Sequence, residues 1–430
     1  MRVLLIATNR HNRLMSRMNA QPLPIGLAYV AGALVDSQHE VKTLDLMFSD
    51  DYLGDVERTV ASFQPEMVGI SIRNLSNHSY MDTQWALPVT KEVIAKIRSL
   101  TPATIVCGGP AFTLLPKPVF EYVDADLGLA GDAAEAFAQL ADRLEADAPY
   151  DDVPGLLYRR GGEIIFNGIN CASAFASPPR LEELDMHRYA QAGFGIGIVT
   201  KLGSFAYPTS ASQSQMDQAV WRVIRPIDEV VAEVCEMEQR YGLRKVFFID
   251  NGFNVPIDHA KALCRALIAA DIRLHWNTCL APFGCDEELI GLMKQAGCAL
   301  VIMGGMRGGL ADGTGLGERV APMLETCRLC EAQDLHYTLG VTFGEPGETR
   351  RTVDEKLTFL RSIQPAVANL RIGVSVLPGT AVAERALREG LIADESDLVK
   401  PTFYVDASVR DWIVDYLREA KAGHPRWQVV

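Results

Sequence analysis

The stretch Thr200-Lys-Leu-Gly-Ser-Phe-Ala-Tyr-Pro-Thr-Ser-Ala-Ser212 joins a predicted strand to a predicted helix near the middle of the 430-residue chain. Residues 196–200, which lead into it, are rich in β-branched side chains, as buried strands are. A helix is predicted to begin near Pro226, after a polar segment. Strand, loop and helix recur on both sides of this stretch, so we expect an α/β chain built from repeated β/α units.

Length and composition are those of an ordinary globular protein. With 430 residues, 48% hydrophobic and 22% charged, two or three domains are expected. The net charge of −13 argues against a nucleic-acid partner, because no basic stripe offsets it. No apolar run is long enough to span a membrane, and the first strand is too short for a signal peptide. The nine scattered cysteines indicate reduced thiols, so a cytoplasmic protein is expected.

Residues 1–148 alternate short strands with longer helices, which predicts a parallel, doubly wound, Rossmann-like sheet. Ligands bind such sheets beyond the carboxyl ends of the strands. Glycine in the loops at this edge lets the backbone approach a large ligand closely. The candidate binding residues are those of the three loops predicted there: Ser71, Arg73, Asn74, Gly108, Gly109, Pro110, Gly131 and Asp132.

The rest of the chain divides into three predicted parts. Residues 149–190 form a linker with a β-hairpin that turns at Gly161-Gly162. Residues 191–376 repeat about six strand–helix units, which predicts a partial (β/α)₆ barrel of the TIM type, with its chemistry at the carboxyl ends of the strands. Residues 377–430 are expected to form a helical C-terminal extension.

Several segments carry signatures in a fixed order, namely residues 22–28, 248–254, 340–349, 376–381 and 400–404. Together with the loops of the first domain, they resemble the cobalamin-dependent branch of the radical S-adenosylmethionine (SAM) enzymes over nearly the whole chain. The resemblance implies a cobalamin-binding domain followed by a radical-SAM-like barrel. It also implies cobalamin as the cofactor, held by the eight loop residues named above.

The resemblance fails at one loop. In that family the loop reads G-C-x-x-x-C-x-x-C, and its cysteines hold a [4Fe–4S] cluster. The matching positions here are Ser204, Pro208 and Ala211, none of which supplies a thiolate. The fourth barrel strand also ends differently, in Gly304-Gly-Met-Arg-Gly-Gly309, where the family places an acidic residue toward SAM. We therefore expect no iron–sulfur cluster and no metal-ligating residues, with SAM as a possible ligand.

Two further ligand patterns are weak. His11 is the nearest match to the cobalt-binding histidine of other cobalamin domains, but the aspartate and glycine of that motif are missing. Arg73 or a hydrophobic side chain is favoured at the lower face of the cofactor. Cys327 and Cys330 form the only C-x-x-C, in a predicted helix without a second ligand pair nearby, which favours two structural thiols.

Candidate catalytic residues are assigned to the barrel strand ends and to the altered loop: Asp250, Asn254, His275, Arg307 and Tyr207. A polar methyl transfer needs a base or a charge stabiliser near the acceptor, and such side chains supply both. Structural roles are the alternative: turn caps for Asp250 and Asn254, a core position for His275, and a solvated cation for Arg307. Glu345 and Glu348 are expected either to join the site or to brace the turn between them.

Three functions stay open. The first is a cobalamin-dependent enzyme of secondary metabolism that transfers an alkyl or methyl group to a small molecule, or cyclises it, without a cluster and with SAM used non-reductively. The second is a non-catalytic cobalamin-binding protein that partners an active relative. The third is a radical SAM enzyme with an unconventional cluster, for which Cys279 and Cys285 are the nearest thiols. The polar residues at the strand ends favour the first.

Overall fold

The structure is a computed structural model that describes residues 1–10, 22–171, 174–175, 177–191, 196–203, 222–250, 252–304 and 316–430. The chain divides into two compact units. Unit 1 comprises Met1–Asn77, Gln84–Phe194 and Ser396–Pro401, and unit 2 comprises His78–Thr83, Gly195–Glu395 and Thr402–Val430.

Unit 1 is a seven-stranded sheet with helices. Its strands are β1 (Arg2–Ala7), β2 (Glu40–Asp45), β3 (Met67–Ser71), β4 (Thr104–Gly108), β5 (Leu127–Leu129), β6 (Leu156–Arg160) and β7 (Glu163–Phe166). Its helices are α1 (Ile25–Asp36), α2 (Tyr52–Phe63), α3 (Leu87–Leu100), α4 (Pro110–Leu114), α5 (Pro116–Val123), α6 (Ala134–Glu145) and α7 (Met186–Gln191).

The strand order in this sheet is β2-β1-β3-β4-β5-β6-β7. Strands β1 to β5 run parallel, as predicted, and strand β1, between β2 and β3, is fully buried from Val3 to Ala7. A strand covered by helices on both faces needs such an unbroken apolar run. Helices α1 and α6 pack together over one face, where Leu34 and Phe137 join Leu5 in the core.

Two features of unit 1 differ from the expectation. The predicted hairpin forms, but β6 pairs antiparallel with β5, so the hairpin extends the sheet instead of standing between domains. Helices α4 and α5, which begin at Pro110 and Pro116, were not predicted. Both are short and start at proline, whose fixed φ suits the first turn of a helix, whereas the apolar periodicity used for prediction needs a longer run.

Unit 2 contains a second seven-stranded sheet, whose neighbouring strands all run parallel, and two separate two-stranded sheets within the described residues. Its strands are β8 (Ile196–Ile198), β9 (Lys201–Gly203), β10 (Arg222–Ile224), β11 (Lys245–Phe248), β12 (His275–Leu280), β13 (Cys298–Gly304), β14 (His336–Phe343), β15 (Val367–Ile372), β16 (Val374–Ser375), β17 (Phe403–Tyr404) and β18 (Trp427–Val429). Its helices are α8 (Ile227–Gln239), α9 (Ile257–Ala269), α10 (Glu287–Gln295), α11 (Leu316–Ala332), α12 (Arg350–Arg361), α13 (Ala381–Arg388) and α14 (Ile413–Lys421).

The order of the large sheet is β18-β15-β14-β13-β12-β11-β8, so all six predicted barrel strands are present. The part of the chain expected to be purely helical adds a seventh strand, because β18 pairs parallel with β15. Two antiparallel pairs lie outside this sheet. Strands β16 and β17 form one, and β9 and β10 form the other. The latter pair flanks the loop that lacks the cluster cysteines, most of which lies outside the described residues.

Candidate functional site

The carboxyl edge of the unit 1 sheet brings several predicted binding residues together. The register aligns Asp45 with Ala7, Ala7 with Ser71, and Ser71 with Gly108, so the ends of β2, β1, β3 and β4 form one row. Strand β1 lies between β2 and β3, and this is the switch point at which doubly wound sheets bind ligands. Pro110 begins α4 directly after the row. The sequence prediction of a binding edge therefore agrees with the topology.

The glycines at this edge are required by the fold itself. Gly109 has φ +102°, and a Cβ there would lie 2.7 Å from the Ile72 carbonyl oxygen. Gly131 has φ +101°, and its Cβ would lie 2.0 Å from the Asn170 carbonyl oxygen. Close packing of neighbouring loops explains both positions without any ligand. These two glycines are therefore weaker evidence for a cofactor site than the sequence analysis assumed.

Asn9 is a polar residue that the sequence analysis missed. It follows β1 at the switch point and is 1% exposed, yet neither atom of its side-chain amide has a hydrogen-bond partner within the described part of the chain. A buried amide left unpaired costs roughly 1–3 kcal/mol. Cobalamin carries amide side chains around its ring, so an unpaired amide at this position fits that cofactor. The signal in the sequence was a polar residue directly after a fully apolar strand.

Half-buried charged groups lie at the same edge. The Tyr189 hydroxyl donates to the Asp45 carboxylate at the end of β2, and burial raises the pKa of Asp45. Burial also lowers the pKa of the Arg73 guanidinium and raises the pKa of Asp132. Asp132 is held on the loop by a side-chain hydrogen bond from Asn170 to its carbonyl, 2.6 Å long. The edge therefore offers polar groups that are only partly solvated.

Replacing Asp45 by asparagine tests the first of these shifts. Because its folded-state pKa is raised, the native protein binds more protons than the unfolded chain just above pH 4, and wild-type stability falls as pH rises through that window. The Asp45→Asn variant should therefore gain stability relative to wild type as pH rises above about 4, as measured by urea unfolding with hydrogen exchange of unit 1 peptides. Asp55→Asn should differ from wild type in the opposite direction and in a lower window: hydrogen bonds from Ser49 and Arg58 lower the pKa of Asp55, so the variant should be less stable than wild type above about pH 4, and the difference should shrink as pH falls below that value. The same pH dependence in both variants would contradict the opposite pKa shifts of Asp45 and Asp55.

In unit 2, Asp250 follows β11 at the carboxyl edge of the sheet, as predicted. It is 5% exposed and accepts hydrogen bonds from the backbone N–H and the hydroxyl of Thr200. The ammonium of Lys201 lies 3.4 Å from its Oδ2. Sequence reasoning missed Lys201, whose only signal was a cation directly after a strand. These contacts make Asp250 a positioning residue, and its role as a base stays a prediction.

Lys201 is buried, and three backbone carbonyl oxygens surround its ammonium. Its Nζ donates to the carbonyls of Gly252 at 2.8 Å, Phe253 at 3.1 Å and Val255 at 2.8 Å. Burial lowers the pKa of this ammonium, and the Asp250 carboxylate opposes that shift. The lysine therefore fixes the loop after β11 to the start of β9.

Asn254 holds the next loop. Its amide Nδ2 donates to the carbonyls of Ala281, at 3.2 Å, and Phe283, at 2.8 Å, while its Oδ1 accepts from the Ala281 N–H at 2.8 Å. It also lies 3.3 Å from the sulfur of Cys285. This agrees with the structural alternative, although the bonds reach a neighbouring loop and not its own turn. A catalytic role for Asn254 stays a prediction.

The prediction for His275 needs correcting. The residue is the first of β12, pairs with Lys245 and is exposed, so it lies at the amino edge of the sheet. The strand runs on to Leu280, and its carboxyl end is there. His275 is therefore neither a strand-end catalytic residue nor a core histidine. Arg307 and Tyr207, with His11, lie outside the described residues.

Most thiols of the chain are buried or half-buried. Burial raises the pKa of Cys279 to about 11, and that of Cys285 and Cys327 to about 12. These surroundings favour the neutral thiol over the thiolate. Cys327 and Cys330 are buried on α11. Within the described ranges, no three histidine, cysteine or carboxylate side chains are grouped so that they could hold a metal ion.

Glu345 and Glu348 brace their turn, as one of the two alternatives predicted. Both accept from the ammonium of Lys356, Glu345 at 2.9 Å and Glu348 at 2.5 Å, and the lysine is fully buried. Glu348 also accepts from the Gly344 N–H at 3.1 Å. Thr349 caps α12 through a capping box with Thr352. The turn is therefore a structural unit.

Comparison with known proteins identifies the first unit. Residues 15–141 match the B12 binding domain family. An uncharacterized methyltransferase of Pyrococcus horikoshii is 22% identical over 403 residues, with 91% of this chain and 84% of that protein covered. Tryptophan 2-C-methyltransferase of Streptomyces laurentii is 26% identical over 437 residues, with 84% and 71% covered. The expectation of methyltransferase-like relatives is confirmed.

Solved structures agree with the fold. The radical SAM methyltransferase TsrM from Kitasatospora setae, determined with cobalamin and a [4Fe–4S] cluster, has a TM-score of 0.84 at 20% identity and covers 100% of this chain and 91% of its own. The cobalamin-dependent SAM radical enzyme OxsB, with aqua-cobalamin and SAM, has a TM-score of 0.65 at 12% identity, with 94% and 57% covered. The expected Rossmann-like domain and partial barrel are confirmed. Of the helices in the described ranges, none has the length and hydrophobicity to cross a membrane.

Proposed function

The chain carries a B12-binding domain and shares the fold of the cobalamin-dependent radical SAM enzymes, and from this premise we propose that it transfers a methyl or related alkyl group to a small molecule without an iron–sulfur cluster. One observation carries the proposal: all three cluster cysteines are replaced, by Ser204, Pro208 and Ala211, in a chain that keeps the remaining fold. The names of its relatives favour methyl transfer, and one relative acts on tryptophan.

The loops at the carboxyl edge of unit 1 would hold the cofactor. When bound, cobalamin supplies the methyl-transfer chemistry, accepting a methyl group from a sulfonium donor and passing it to a nucleophile. Asn9 would exchange hydrogen bonds with amides at the edge of the ring, because its own amide is buried and unpaired within the described residues. Ser71, Gly108 and Gly109 would line the approach, and Arg73 or a hydrophobic side chain would contact the cofactor.

In unit 2, the residues at the carboxyl edge would orient the substrate. Asp250 and Lys201 fix the loop after β11, and Asn254 fixes the loop after β12. A route without a cluster uses SAM as a non-reductive methyl donor and needs no electron. A small-molecule substrate of secondary metabolism and a cytoplasmic setting are part of the proposal, and all nine cysteines are unpaired, which agrees with a reducing compartment.

Metal analysis after anaerobic reconstitution with cobalamin, iron and sulfide tests the proposal. We expect about one cobalt and no stoichiometric iron per chain, and a SAM-dependent change in the visible spectrum of reduced cobalamin. About four irons per chain would instead indicate a rebuilt [4Fe–4S] cluster. Absence of cobalt would overturn the assignment of the cofactor. Cobalt without any SAM-dependent change would favour the non-catalytic alternative.

A further inference from the structure

Residues 177–191 form a strap that runs along helix α1 to the carboxyl edge of the unit 1 sheet. At its start, the Ser177 hydroxyl donates to the carboxylate of Asp36, the last residue of α1. Further on, the backbone N–H of Arg180 donates to the Ala28 carbonyl, 3.0 Å away. Three apolar side chains of the strap are buried: Leu181, Leu184 and Met186. The strap therefore follows α1 from its end toward its beginning and packs closely within unit 1.

A glycine sets the distance between the strap and the helix. Gly32 lies inside α1, where glycine is less favourable than alanine. A Cβ at this position would lie 2.3 Å from the Pro178 carbonyl oxygen and 3.4 Å from the Cβ of Ser177. Any side chain there would push the backbone of the strap away from α1. Gly26 on the same helix differs, because a Cβ there would meet nothing within 4 Å.

The far end of the strap is α7, which is fastened at the end of β2. The Tyr189 side chain is 1% exposed, and its hydroxyl donates to the Asp45 carboxylate. Its ring packs edge-on against Phe48, with the ring centroids 4.8 Å apart. The Arg188 guanidinium lies 4.4 Å from the centre of the Phe48 ring and donates to the Phe48 carbonyl at 3.3 Å. We call these contacts the latch, and they join the strap to the loop after β2.

The latch is continuous with the switch point of the sheet. The Ser49 carbonyl, in the loop that the latch holds, accepts from Arg10, which directly follows Asn9. Burial raises the pKa of the Tyr189 hydroxyl, and the charge of Arg73, after β3, opposes that rise. Helix α7 therefore lies near the loops that follow both neighbours of β1. Asn9, at the end of β1, is 1% exposed, which agrees with a cover over the switch point.

We propose that the strap is a gate that limits how fast cobalamin enters and leaves the carboxyl edge of unit 1. The proposal rests on the proposed function, which places cobalamin at this edge. Segments that close over a ligand site control its exchange. The Tyr189 hydroxyl is buried and donates to Asp45, so the latch acts on access to the site and not through contact with the cofactor. Loosening the strap should therefore raise the rates of entry and release together and leave the dissociation constant unchanged.

Two variants loosen the strap at opposite ends, Gly32→Ala beside α1 and Tyr189→Phe at the latch. Entry of aquacobalamin into the full chain is followed by stopped-flow absorbance, and release by timed gel filtration of the loaded protein. We expect both rates to rise about tenfold in Tyr189→Phe, the factor that a hydrogen bond to a charged group contributes. Both rates should also rise in Gly32→Ala. Hydrogen exchange of peptides from residues 177–191, which should be faster in both variants, reports the loosening directly.

Each variant has a matched control. Gly26→Ala adds the same methyl group to α1 away from the strap. Tyr416→Phe removes another hydroxyl that donates to a carboxylate, that of Asp354 in unit 2. Both controls should take up and release cobalamin like wild type.

The proposal is overturned if Gly32→Ala and Tyr189→Phe exchange cobalamin at wild-type rates. It is also overturned if only release is faster, because weaker binding with unchanged entry indicates a lost contact and not a gate. Wild-type hydrogen exchange of the strap in both variants would contradict the contacts assigned to it. A wild type that binds no cobalamin contradicts the proposed function itself, whereas tight binding with unchanged exchange in the variants contradicts the gate alone.

Discussion

The Lys201→Met variant is expected to lose about 3–5 kcal/mol of stability in unit 2, because removing one partner of a buried ion pair leaves the other charge uncompensated. Asp250, whose side chain is 2% exposed, would remain without its cation. The carbonyls of Gly252, Phe253 and Val255 would lose their shared donor as well. We expect faster hydrogen exchange in the loop after β11 and a lower urea midpoint for unit 2 peptides.

A double variant separates charge from packing. In Lys201→Met with Asp250→Asn the buried carboxylate is gone, so part of the lost stability should return. Lys421→Met, at an exposed lysine that ends α14, should change little. Hydrogen exchange of peptides from β1 in unit 1 shows whether the loss of stability is confined to unit 2. Equal losses in the single and the double variant would contradict the ion pair as the main source of stability here.

The Lys356→Met variant is expected to have a loss of similar size, about 3–5 kcal/mol, for the same physical reason. Its ammonium joins Glu345, Glu348 and the Thr342 carbonyl at full burial. Without it, two carboxylates share a dry turn and repel each other. Unfolding by urea, followed by exchange of peptides from β14 and α12, measures the change.

Lys261 offers a matched comparison, since it also contacts two carboxylates, Asp286 and Glu288, but at the surface. Surface pairs contribute little. Lys261→Met should therefore be far milder than Lys356→Met. Comparable losses would show that the number of ion pairs, and not their burial, sets the stability of this turn.

The order of elements followed from the sequence, because buried parallel strands leave unbroken apolar runs. The run Val3–Ala7 is an example, and its place inside the sheet, with a neighbour on each side, follows from it. The sequence did not predict strand β18, because the three residues that pair with β15 are too few to show an alternation of apolar and polar side chains. Whether such a segment becomes a strand is decided by a distant partner. The hairpin was predicted, but its pairing with β5 was not, because that pairing also depends on a partner strand distant in sequence.

The site was less predictable than the fold. Asp250 was placed correctly at a strand end, but the sequence cannot say that a neighbouring lysine already holds its carboxylate. His275 was misplaced because the position of a residue within its strand depends on where the strand ends.

The pairing of β18 with β15 has a consequence for synthesis of the chain. Helices α13 and α14 separate the two strands in sequence, so β15 leaves the ribosome well before its outer neighbour exists. During that interval the nascent sheet has a free edge of six residues, Val367–Ile372. Free edges recruit strands from other polypeptides. A transcript truncated ahead of Trp427 would therefore yield a product prone to aggregate, even though strands β8 to β15 had already been translated.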